Sequence, residues 1–440
     1  MQRSIHTRSL ITILISPLFL FGQPATDSLL QQATLENVVQ YALTHQPVIQ
    51  QSLIDEQITE SIIKSKLSDW YPQLNFNYAL QHNFQLQQAI IGGNIIKFGA
   101  YNTSAMQVTL NQNIFNRDVL LASRSKNDVR TEVKQNTGKN KIEVAATVSK
   151  AFYDVLATMQ QIKVAEEGIA RLEISLKDSY NRYAAGIADK TDYKRATIAL
   201  NNTKAAKKIN EELLKAKQEY LKSLIGYPEG NDLNIVYDSL QMEKEMPLDT
   251  LAAIDYTKRI EYQLLTTQKK LQAANLLYNK WSYLPSVSLI GAYNLNFQDN
   301  AFTKLYGTAF PNSYAGLNVA LPIFQGGKRK FDIQQQQLQL KRLDWDMINL
   351  QHNINAQYAQ ALAAYKSNLA NYQALKENVD LAKEVYEIIQ LQYKAGVKTY
   401  LEVVAAETDL NTAKINYFNA LYQLLSSKID VQKALGQINY

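Results

Sequence analysis

Cysteine is absent from the 440 residues, which excludes disulfides, thiolate catalysis, thiolate metal sites and a lipid anchor on an N-terminal cysteine. Histidine is nearly absent. His6, His45, His82 and His352 stand apart, and no two share the spacing of a metal-binding pair on one helix face. Phosphate-binding glycine loops, a serine elbow and paired catalytic carboxylates are also missing, so neither an enzymatic reaction nor a cofactor or metal is expected. Proline is scarce and unevenly placed, with none between Pro72 and Pro228 and none after Pro322. Because proline breaks helix interiors, both stretches are open to very long helices. Apolar residues make up 46% of the chain and the mean hydropathy is −0.27, which excludes a bundle of membrane-spanning helices.

What is present begins with an export signal. Arg3 and Arg8 flank the start of an apolar run over residues 10–21, which reads as a secretory signal over 1–22, cleaved after Gly22 or Ala25. The run falls short of the ~20 apolar residues of a spanning helix. Losing two arginines takes the net charge from +6 to 6 − 2 = +4. Spread along helices of an exported protein, that charge implies no nucleic-acid partner.

The remaining chain is written twice. Tyr183 and Gly186 recur as Tyr393 and Gly396, and Gly226 recurs as Gly436, each 210 residues on. Leu200-Asn201 matches Leu410-Asn411 at the same offset. Tyr71-Pro72 matches Leu284-Pro285, and Ile114-Phe115 matches Ile323-Phe324, at offsets of 213 and 209. The expectation is a tandem internal repeat, 23–230 and 248–440 joined by a linker over 231–247. Each half holds a helix of moderate length, two strands, a very long helix, a glycine turn and a second helix.

The strands alternate with period two. After Pro72, Leu74, Phe76, Tyr78 and Leu80 oppose Gln73, Asn75, Asn77 and Gln81. After Pro285, Val287, Leu289, Tyr293, Leu295 and Phe297 oppose Ser286, Ser288, Asn294 and Asn296. The return strands set Met106, Val108 and Leu110 against Gln107, Thr109 and Asn111, and Leu317, Val319 and Leu321 against Asn318 and Ala320. Strands of about ten residues suit a tilted crossing of a bilayer, and a polar face rich in Asn, Gln and Ser suits a water-filled lumen. One chain supplies only four, whereas a small closed barrel needs about eight and an open edge does not survive in lipid. Several subunits must share one barrel; the pattern alone does not choose between two and three. Residues 84–101, with Gly92-Gly93 as a turn, and 298–313 are expected as outer loops.

Residues 116–183 contain no proline and only Gly138 and Gly168; as one helix they would reach ~100 Å at 1.5 Å per residue. Residues 328–393 repeat this. Ile415, Phe418, Tyr422, Leu425 and Ile429 form a heptad seam for left-handed helix pairing, and the glutamine run 334–337 reads as a solvated helix face. Helices of this length in an exported protein fit a span across the periplasm.

These residues resemble the TolC-like outer-membrane efflux family: Gln46-Pro47 at the end of the first helix, Trp70-Tyr71-Pro72-Gln73-Leu74 opening a strand, Leu321-Pro322-Ile323-Phe324-Gln325-Gly326-Gly327 after the last one, and the two Tyr-x-x-Gly turns. The resemblance implies a mainly α fold with a small β part. Long antiparallel helical hairpins would form a trimeric α-barrel in the periplasm, capped by a 12-stranded transmembrane β-barrel set in outer-membrane lipid. It implies a homotrimer that conducts substrates passively, served by a periplasmic adaptor and an inner-membrane pump of an efflux or type I secretion system. A bridging coiled-coil protein without transport and an uptake porin are the competing readings; the strands count against the first and the long helices against the second.

The resemblance also places Gly186-Ile187 and Gly396-Val397 at adaptor-docking tips, although each glycine would equally end its helix in the left-handed conformation. It places a gate on Asp192, Tyr393 and Lys398, with Glu402 in an acidic ring at the constriction. Family members often carry Arg where Lys398 stands, and a lysine loses the bidentate fork. A second acidic position of some members falls on Ala405. Thr399 to Glu402 also has capping-box spacing, and Asp189 to Asp192 a looser form of it; either carboxylate would then serve its own helix.

Overall fold

The computed structural model describes residues 30–236 and 239–438; the signal expected over 1–22 lies outside the described residues. α1 (Leu35–His45) is capped by the Thr34 side chain, and Pro47 opens α2 (Pro47–Ser68) at a position where its missing N–H costs nothing. Gln46-Pro47 therefore ends one helix and starts another. The chain then runs through β1 (Gln73–His82), β2 (Gln87–Ile91), β3 (Asn94–Phe98) and β4 (Asn102–Phe115) into α3 (Arg117–Ala184) and α4 (Lys190–Ile225). A short α5 (Ser239–Glu245), unexpected from the sequence, sits in the linker. α6 (Ile260–Lys280), β5 (Ser286–Asp299), β6 (Ala309–Ala320), α7 (Lys328–Lys394) and α8 (Tyr400–Leu435) follow.

The proline-free stretches are the long helices. α3 has 68 residues and α7 has 67, each about 100 Å long. Asn116 caps α3 by accepting the Asp118 N–H at 2.7 Å. α3 pairs with α4 and α7 with α8, and α3 also packs on α8. The seam on α8 is accordingly wider than one heptad stripe. Tyr422 and Leu425 are buried as expected, but so are Leu421 and Leu424, because α8 faces both α7 and α3. The main core joins Val38, Phe152, Leu156, Leu221, Leu424 and Leu425 where α1 and the linker wrap the long helices. Each such side chain contributes about 1.5–3 kcal/mol on burial. No helix among the described residues is long and apolar enough to cross a membrane.

Four strands form one antiparallel sheet in the order β1-β4-β5-β6, and β2-β3 form a separate hairpin. The register aligns Phe76 with Val108, Val108 with Tyr293 and Tyr293 with Ser313, so one face is largely apolar, with Ser104 and Ser313 among its polar members. The other carries Asn77, Gln107 and Asn294. Residues 84–101 are thus partly strand, turning at Gly92-Gly93. The second connection is shorter than expected: β5 and β6 extend to pair Phe297 with Ala309, leaving 300–308. β6 ends at Ala320, one residue before Leu321, where Pro322 has no N–H to continue a ladder.

Candidate functional site

α3 and α7 leave the sheet and run their full length to two helical turns at the far end. Both turns close alike. At the first, Ile187 N–H donates to Arg182 O and Gly186 N–H to Tyr183 O, both at 2.9 Å; at the second, Val397 N–H donates to Gln392 O at 2.9 Å and Gly396 N–H to Tyr393 O at 3.0 Å. This is the double bond of a helix ending on a left-handed residue, with φ of 74° at Gly186 and 78° at Gly396. The residue after each glycine is thrust outward: Ile187 is 75% exposed and Val397 73%. An isolated pair of exposed aliphatic residues, one per tip, offers a partner a small apolar contact on a fixed turn.

The four residues expected at a gate, Asp192, Tyr393, Lys398 and Glu402, lie within two turns of these helical turns. Tyr393 is buried against Tyr400, with ring centroids 5.6 Å apart. Arg182 sits over its face at 4.7 Å and is held by Asp178 at 3.2 Å. The Tyr393 hydroxyl is buried without a hydrogen-bond partner. Burial raises the hydroxyls of Tyr393 and Tyr400, and Asp192, in the first turn of α4, adds a smaller push in the same direction. Its own carboxyl is raised above the usual range by partial burial and by the neighbouring Asp189. Asp189, not Asp192, caps α4, accepting the Thr191 N–H at 2.7 Å.

Lys398 and Glu402 are engaged with each other. Lys398 Nζ donates to Glu402 Oε1 at 2.6 Å, while Glu402 Oε2 accepts the Thr399 N–H at 2.9 Å. Glu402 therefore closes the capping box of α8. Its carboxyl is pulled down to about 2, chiefly by Lys398 and then by the Thr399 N–H. Within one copy Lys398 pairs with Glu402, while Asp192 and Tyr393 are not hydrogen-bonded to each other, so the four residues form no single network.

Two features escaped the sequence reading. Tyrosines recur every seventh residue along α7 at Tyr358, Tyr365 and Tyr372, then at Tyr386 and Tyr393. Tyr365 and Tyr372 donate into the segment 231–247, at Met246 O and Glu243 Oε1, and Tyr358 donates just beyond it, at Ala252 O. A seven-residue count of tyrosines would have found them. The second is a buried ion pair: Arg171 Nε meets Glu407 Oε1 at 3.1 Å, and Arg171 Nη2 donates to Asn411 Oδ1 at 2.7 Å. Glu407 and Asn411 border a cavity of about 470 Å³ between α3, α4 and α8. Among the described residues no cluster suits a metal ion.

Comparison with known proteins gives this arrangement a context. Residues 38–227 and 261–437 each match the profile of the family described as outer membrane efflux protein. The outer membrane protein TolC of Escherichia coli (strain K12) is 21% identical over 430 residues, spanning 94% of this chain and 84% of that protein. Among solved structures, the MtrE outer membrane channel of Neisseria gonorrhoeae in its open state superposes with a TM-score of 0.72 at 20% identity, covering 91% of this chain and 88% of that one. The CmeC outer membrane channel of Campylobacter jejuni gives 0.71 at 15% identity, covering 92% and 85%. At these identities the structures speak to the fold alone.

Proposed function

The chain belongs to the outer membrane efflux protein family, and from that premise we propose that three copies form a passive outer-membrane channel reaching across the periplasm. The observation that carries this reading is the sheet. It has four strands, unpaired edges on β1 and β6, and an apolar face open to the surroundings, with Leu74 70% and Leu317 65% exposed. Open edges are not tolerated in lipid. Joining β6 of one copy to β1 of the next removes every edge, and three copies of four strands give a twelve-stranded barrel. Its apolar face would meet lipid and its Asn- and Gln-rich face the lumen.

The two helical hairpins of each copy would then add to a periplasmic tunnel of twelve helices. The two family matches support reading the halves, 23–230 and 248–440 with the linker 231–247, as a tandem repeat. Ile187 and Val397, fixed by Gly186 and Gly396, are where a periplasmic adaptor would dock, with an inner-membrane pump supplying substrate and energy. The family's description as an efflux protein supports export over uptake.

The same reading puts Asp192, Tyr393, Lys398 and Glu402 around the tunnel's narrow end. No hydrogen bond or ion pair within the chain reaches the Asp192 carboxylate among the described residues, which leaves it available to a neighbouring copy. Charged groups ringing a narrow mouth focus the field on passing ions. Asp192→Ala combined with Lys398→Ala is expected to raise single-channel conductance in planar bilayers about two-fold or more. Unchanged conductance in the double variant would remove the latch, and a wild-type protein that does not conduct would remove the channel.

A further inference from the structure

The sheet is not the only layer with two free flanks. Next to it four helices pack in the order α2-α3-α6-α7, the order of the strands β1-β4-β5-β6 that they continue. α2 and α7 are the flanks of that layer. α2 turns Ser52, Glu56 and Glu60 toward α3. Asn140 Nδ2 donates to Ser52 Oγ at 2.8 Å, Thr137 Oγ1 to Glu56 Oε1 at 2.6 Å and Arg130 Nε to Glu60 Oε2 at 2.7 Å. α7 meets α6 through Gln336 and Gln339, whose Oε1 atoms accept Gln272 Nε2 at 2.8 and 2.9 Å.

Each flank carries an apolar row on its outer side. Ile54, Ile58 and Ile62 follow Ser52, Glu56 and Glu60 by two residues, about 200° around a helix of 3.6 residues per turn, and so point away from α3. On α7, Phe331, Leu338 and Trp345 recur every seventh residue, with Leu338 likewise two residues past Gln336. All six side chains are half or more exposed. Contiguous apolar rows of this kind mark an interaction surface.

Three observations select the partner. The β6-to-β1 junction that closes the barrel also sets α7 of one copy beside α2 of the next. The two helices run in opposite directions relative to the sheet, and their rows meet at one height. Ile58 lies ten residues before the end of α2 at Ser68, and Leu338 ten after the start of α7 at Lys328 (68 − 58 = 338 − 328 = 10). Asp55 and Arg342 bring opposite charges to the rows at matching heights, 68 − 55 = 13 and 342 − 328 = 14 residues from the same ends. A different partner would need to cover only one row; a second copy covers both. We infer that α7 packs on α2 of the neighbouring copy, with Phe331, Leu338 and Trp345 against Ile54, Ile58 and Ile62. The seam rests on the trimeric channel reading. It seals the tunnel wall next to the barrel, where a slot between subunits would leak substrate to the periplasm.

The chain has no cysteine, so cross-linking reads the seam directly. Ile58→Cys combined with Leu338→Cys, extracted as the trimer and oxidised, is expected to give linked dimers and trimers on a non-reducing gel. Nothing larger should form, because a head-to-tail contact that closes a ring ends there. Either single variant is expected to run as a monomer on that gel, since position 58 meets 338 and not itself. Ile58→Lys should lower the trimer fraction in native mass spectrometry about two-fold or more, and Leu338→Glu added to it should recover the loss. A wild-type trimer whose paired cysteines do not link, or link no more than Ile58→Cys alone, would overturn the seam and leave the channel standing. Absence of the trimer in the wild type would instead remove the channel reading itself.

Discussion

Arg171→Ala is expected to destabilise the helical hairpins by about 3–5 kcal/mol at neutral pH, since removing one partner of a buried ion pair strands the other charge. The Glu407 side chain is only 3% exposed and that of Arg171 23%, so solvent cannot replace the guanidinium. Glu407→Gln, which keeps shape and removes charge, is expected to cost less, about 1–2 kcal/mol. The pH dependence separates this account from simple loss of packing. Burial already raises the Glu407 carboxyl, and Arg171 works against that rise. Without Arg171 the folded-state value climbs further above the unfolded one, so the folded state binds the proton more tightly and stability is recovered as pH falls through that value. Urea unfolding of detergent-solubilised protein should show Arg171→Ala converging on wild type at acid pH. A pH-independent deficit would assign the loss to packing.

Gly436→Ala is expected to be comparably damaging for a different reason. Gly436 ends α8 with φ of 69°, and a Cβ there would lie 2.7 Å from the carbonyl oxygen of Lys258. Gly226 repeats the situation against His45 O, also at 2.7 Å. The left-handed conformation alone costs a non-glycine residue about 1–2 kcal/mol, and pushing the facing backbone aside adds about 1–3 kcal/mol. Gly186→Ala is the internal comparison. Its φ is 74°, but nothing lies within 4 Å of the added carbon, so only the conformational cost applies. Urea midpoints should therefore rank wild type, Gly186→Ala, then Gly436→Ala. Equal losses at 186 and 436 would mean that the close approach to Lys258 does not matter.

The contrast between what could and could not be read from the sequence follows sequence distance. Local signals carried far. The lack of proline bounded α3 and α7 to within a residue, because a helix continues until something interrupts it, and the glycines at 186 and 396 ended them. Strict alternation after Pro72 and Pro285 identified both faces of the sheet. The Thr399-Glu402 spacing announced its capping box. Contacts between remote residues left no local trace: Arg171 and Glu407 are 236 positions apart, and nothing in either neighbourhood announces the other. The second outer connection was misjudged in extent because β6 runs through Pro311, which reads as a breaker in sequence but is tolerated on an edge strand. The tyrosine spacing on α7 was legible but masked, since its polar neighbours make that helix look solvated on every side.

The account turns on three copies sharing one sheet. Native mass spectrometry of the membrane-extracted protein in mild detergent tests this most directly. A stable trimer is the predicted result, because only then do four strands per chain and two open edges close as twelve. A protein that is soluble without detergent as a monomer or dimer would contradict it and make the alternating strands an ordinary half-buried sheet.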